Sequence, residues 1–134
     1  MTGEEFEAYI RADARLAGPV SAAAGKLASA QYGTVVDATV AAALVAAFFP
    51  IAQFILVRIG LPWLNELRRY SELHRRRFHD WIDGEYSKHN RNADAAEAAG
   101  DKLLDDLQAV TDADARKAWQ RLADLMAQDK KAAE

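Results

Sequence analysis

Apolar residues recur along most of this chain every three or four positions, the period of a helix with one buried face. One stretch has no polar face. Ala38 to Val57, ATVAAALVAAFFPIAQFILV, runs for 20 residues without a charge. A helix of that length covers about 30 Å, the thickness of a bilayer's hydrocarbon core. The pattern therefore predicts a membrane-spanning helix, entered at a Thr34/Asp37 capping box and extending to about Ile59. Asp37 is read as a capping carboxylate in the first turn rather than as a proton or cation site. Gly60 supplies the C-cap and Pro62 the first turn of the next helix. Tyr32 and Trp63 stand at the two ends, where aromatic rings favour the headgroup level.

Around that span the periodicity predicts shorter amphipathic helices. Phe6, Ile10 and Leu16 mark the first, opened by a Thr2/Glu5 capping box and stopped by Gly18-Pro19. Residues 20–31 read as a weak small-residue helix or a loop, and Gly33 breaks the chain. From Pro62 to about Lys88, Leu64, Leu67, His74, Phe78, Trp81 and Ile82 share one broad face of a long helix. A polar loop over 88–92 follows, with Asn92 as an N-cap. A helix over about 93–110 carries Leu103, Leu104, Leu107 and Val110. The last starts at a Thr111/Asp114 capping box and carries Trp119, Leu122, Leu125 and Met126. Strand signals, internal repeats and sustained heptads are absent. The fold class is all-α: a single membrane-spanning helix, a short N-terminal helix and a C-terminal helical hairpin or small bundle. The expected division is an N-terminal helical tail over 1–33, a transmembrane helix over 34–60 and a cytoplasmic helical region over 61–134.

Charge sharpens the topology. The net charge is −2 over residues 1–57, +3 over 58–91 and −4 over 92–134. Arg58, Arg68, Arg69, Arg75, Arg76 and Arg77 follow the span, whereas the nearest basic residue before it is Lys26. Basic flanks stay on the cytoplasmic side. The expectation is a single pass of the cell inner membrane, N-terminus outside and C-terminus cytoplasmic. The first residues, MTGEEFEAYI, lack the basic start of a cleavable signal, so the segment is expected to remain as the anchor. The six arginines are candidates for lipid headgroup or partner contact. Nucleic acid is not expected, because no nucleic-acid-binding fold motif or interleaved aromatic platform accompanies them. A second use for the basic helix lies in Asp94, Glu97, Asp101 and Asp105, which line one side of the next helix and suit an antiparallel hairpin.

Within the span, Ala38, Ala42 and Ala46 recur every fourth residue, with Ala43 and Ala47 alongside. Small residues at this spacing let helices approach closely in lipid, so this is the candidate face for homo-oligomerisation. Leu67, Phe78 and Trp81 are candidates for a buried interface.

Little catalytic chemistry is legible. The chain has 134 residues and no cysteine, which rules out disulfides and thiolate metal sites. Charged residues make up 28% and hydrophobic residues 51%, which argues against disorder throughout. His74 and His79 do not share a helix face. His79 and Asp83 do, but two ligands are too few for a stable zinc site. No catalytic, cofactor or metal residues are assigned, and no enzyme activity is expected. The expected function is that of a small membrane-anchored helical protein acting by oligomerisation or by docking a cytoplasmic partner. The alternatives are a holin-like pore or lesion former and a soluble bundle binding an apolar ligand around residues 38–57.

Overall fold

The computed structural model describes residues 1–31, 38–64, 72–88 and 93–133. Among these residues the chain is all-helical. The α-helices are α1 (Gly3–Arg11), α2 (Ala14–Gln31), α3 (Ala38–Gln53), α4 (Glu72–Lys88), α5 (Ala93–Gln108) and α6 (Ala113–Ala133). A π-helical turn, Phe54–Ile59, continues α3, and a 3₁₀ turn, Pro62–Leu64, follows it. The Thr34/Asp37 cap, Tyr32, Leu67, Arg68, Arg69, His89 and Asn92 lie outside the described residues, as does the side chain of Ala38.

Local chemistry sets the helix starts. Thr2 Oγ1 accepts the Glu5 backbone N–H at 3.1 Å, as the capping box predicts. The first break comes earlier than expected. It falls at Ala12–Asp13, where the Asp13 carboxylate accepts the Arg15 backbone N–H at 3.0 Å and opens α2. Hydrogen bonding from Arg15 also holds the Asp13 carboxyl below the usual carboxylate range. Gly18-Pro19 does not end a helix, because α2 runs straight through it. An interior proline costs about 3 kcal/mol. Leu16 and Val20 flank it and are buried, each worth about 1.5–3 kcal/mol over exposure, which offsets that cost. The last helix is capped one residue later than expected, by Asp112, whose carboxylate accepts the Ala115 N–H at 2.8 Å.

Helix α3 sorts its residues by size. Leu44, Val45, Phe48, Ile51 and Ala52 are buried, whereas Thr39, Ala43, Ala47 and Pro50 are exposed. Gly60 ends the segment as expected, with φ of 94°. Its N–H reaches Ile55 O at 2.9 Å, an i−5 bond that makes the last turn π rather than α. Pro62 starts only the 3₁₀ turn, and the next described helix begins at Glu72.

α1 and α2 both pack on α3, α2 lies along α5, α4 packs on α5, and α6 meets α2 and the π turn. The N-terminal and C-terminal helices contribute to one cluster of buried side chains. Every described buried side chain in that core is apolar.

Two close approaches position the helices. Pro50 has no N–H to offer the Ala46 carbonyl one turn earlier, and Gly3 of α1 lies against that carbonyl. A Cβ on Gly3 would stand 2.8 Å from Ala46 O. Phe6 reinforces the contact, its ring 5.2 Å from that of Phe49. At the other close approach, Gly100 of α5 seats the ring of Phe78 from α4, and a Cβ there would fall within the ring.

Gly100→Ala should therefore destabilise the fold by about 1–3 kcal/mol through overpacking. Gly84→Ala on α4, where a Cβ would meet open space, should be neutral or stabilising by up to about 1 kcal/mol. Urea melts of the two variants check this, and equal midpoints would show that Phe78 is not held against Gly100.

Candidate functional site

Three surfaces carry the features that bear on function. The first is the outer stripe of α3. Thr39–Leu64 is long and apolar enough to cross a membrane, and 44% of its most apolar stretch is buried by the rest of the chain. The exposed stripe of Thr39, Ala43, Ala47 and Pro50 contains no charge. The face proposed for close helix association is a different one. Ala42 and Ala46 are half-buried, and Ala46 is met by Gly3 of the same chain. The close-approach surface at Ala46 is thus occupied by α1, whose glycine gives it the nearest fit.

The second surface lies where α4 meets the end of α3. The π turn brings Phe54 against α4, where its ring stacks on Trp81 with centroids 4.4 Å apart and planes 11° off parallel. Phe78 lies 6.3 Å from the same ring and is fully buried. Trp81 is half-buried. The exposed Arg58 guanidinium sits 5.7 Å from the Phe54 centroid. Arg76 and Arg77 are also exposed. Nearby, the Arg116 guanidinium lies 5.2 Å from the Trp63 ring and donates to Val110 O at 3.0 Å. Trp63, expected as a headgroup anchor, is thereby tied to the turn between α5 and α6. Neither aromatic pairing was legible in the sequence, because each joins residues from distant parts of the chain.

The third surface is a polar ladder between α4 and α5, the hairpin anticipated from their opposite charges. Arg75 Nη1 and Nη2 reach Asp101 Oδ1 at 2.9 Å and Asp105 Oδ1 at 2.8 Å. One turn on, His79 Nε2 lies 3.0 Å from both Asp101 oxygens. Arg75 is therefore engaged within the fold rather than free for lipid. Partial burial opposes its charge, but the hydrogen bond from Arg75 to Asp105 and the Asp101 charge outweigh that and raise its pKa. At the far end, Glu97 shares a hydrogen bond with Asp83. Burial first, and then that hydrogen bond, push the Glu97 carboxyl above the usual range, and the His79 charge pulls it down.

No cluster of three or more metal-ligating side chains occurs among the described residues. Comparison with known protein families, curated proteins and solved structures finds no match to this chain.

The raised Glu97 value gives a pH dependence of known sign. A raised folded-state pKa contributes stability that is fully present below the ordinary Glu value of 4.5 and is lost as pH rises through the folded value. Glu97→Gln cannot ionise, so its advantage over the parent in urea midpoint should grow across that rise. A difference between the two that stays constant with pH would show that Glu97 titrates normally.

Proposed function

We propose that this protein is a non-enzymatic, membrane-associated helical protein that acts by docking a protein partner or a second copy. One observation carries the reading: less than half of the most apolar stretch of Thr39–Leu64, 44%, is buried by the chain itself. A helix apolar on all sides belongs in surroundings that are apolar on all sides. The rest of the fold covers its large side chains and leaves the charge-free stripe of Ala43, Ala47 and Pro50 uncovered. Lipid or another apolar surface suits that stripe.

The packing bears on topology. A single pass through the inner membrane, N-terminus outside, requires α2 to part from α5, against which it packs extensively. Association through the outer stripe needs no such separation, and this is the arrangement we favour. The same α2–α5 contact supports the second reading, a soluble bundle. The pore reading depended on an open alanine face, and α1 lies on that face at Ala46.

Ala43→Lys with Ala47→Lys separates the two supported readings. Both positions are exposed and lysine is a good helix former, so folding stability should change by no more than about 0.5 kcal/mol per site. Lysine on a stripe that enters the acyl boundary replaces apolar contact with charge, which weakens association there. The parent should sediment with membranes through a salt wash, and the double variant should move to the supernatant with unchanged melting. A soluble parent, or a variant that stays bound, would overturn the membrane reading.

A further inference from the structure

We propose that the junction of α4 with the end of α3 is a contact site for the anionic headgroups of a lipid bilayer. This rests on the membrane reading above and adds to it the part of the surface that selects the lipid. Leu73, Arg77 and Trp81 recur every fourth residue of α4 and so share one face. Leu73 is 64% exposed, one of the few large apolar side chains so placed. Arg77 is exposed beside it. Trp81 is fixed by its stack on Phe54, and Arg58 lies over that same Phe54 ring. The stack therefore joins the segment that carries Arg58 to the α4 face that carries Arg77.

The chemistry is that of a bilayer interface. A guanidinium fork matches phosphate oxygens. An indole settles at headgroup depth. An exposed leucine one turn before Arg77 suits acyl chains and would gain nothing from a dissolved anion. The neighbouring Arg75 is differently employed, held by Asp101 and Asp105. No carboxylate among the described residues pairs with Arg58 or Arg77. Arg58 also lies on the same apolar segment as the outer stripe of α3, eight residues after Pro50.

The test uses the full chain with vesicles of phosphatidylcholine alone and vesicles in which phosphatidylglycerol replaces part of it. The parent should bind the anionic vesicles more tightly. Arg58→Gln with Arg77→Gln should weaken that binding by roughly tenfold or more, since each basic residue near an anionic surface contributes about fivefold. Binding to neutral vesicles should not change. Arg77→Gln alone, at a position with no stacking role, should give part of the loss. Leu73→Ser should weaken binding to both vesicle types. Arg121→Gln on α6, the same change in net charge as Arg77→Gln alone, should weaken neither. Equal binding of the parent to both compositions, or undiminished binding of the arginine variants, overturns the headgroup site while leaving membrane association standing. Failure of the parent to bind either vesicle overturns both proposals.

Discussion

Covering α3 is the constraint on which the rest of the structure depends. A long uncharged helix cannot stand alone in water, and each neighbouring helix has a place in hiding its large side chains. α1 and α2 lie directly against it, α2 is backed by α5, and α6 closes on its π-helical end. The size sorting within α3 makes this possible. Its bulky residues converge on Phe48 and Ile51, and on Ile55 of the π turn, all fully buried, whereas Ala43 and Ala47 are exposed. Burying a side chain of that size is worth about 1.5–3 kcal/mol, whereas an exposed alanine forfeits little. Partial cover is therefore enough to hold the fold and still leave an apolar surface outside it.

The polar ladder has a different part to play. Its members are partly exposed: the side chains of Arg75 and Asp105 are 30% and 61% accessible. Water and salt screen such pairs, and each contributes at most about 1 kcal/mol. Their pairing bears on register more than on stability. Arg75 meets Asp105 and Asp101, His79 meets Asp101, and Asp83 meets Glu97. The Phe78 ring in its seat at Gly100 fixes the same register from inside the core. Like-charged Asp83 and Glu97 at the end of the ladder show that the match is incomplete.

Much of this was legible in the sequence because helical periodicity and charge are local signals. Phe6 with Ile10, the leucines of α5, and the acid-to-base facing of α4 and α5 all follow from spacing alone. The departures have physical causes that spacing does not carry. Pro19 was read as a stop, but the packing of Leu16 and Val20 holds the helix through it. Thr111 and Asp112 are both able to cap, and only the path of the chain selects Asp112. The apolar run was visible from its composition, but its sorting into a large-residue side and an alanine side depends on which neighbours arrive. For the same reason the cluster of Phe54, Trp81 and Arg58 was not foreseen. The sequence supplied its members, and the packing of the π turn against α4 brought them together.

The join between Gly3 and the Ala46 carbonyl has a consequence for the beginning of the chain. α1 has nine residues, fewer than the roughly 12–15 an isolated helix needs to persist in water. Its order is borrowed from α3. It docks at the point where Pro50 frees a backbone acceptor, and a helix without that proline would offer no such landmark. The N-terminal helix therefore depends on the surface it lands on: loosening the Gly3–Ala46 approach removes the support that a helix of nine residues lacks by itself.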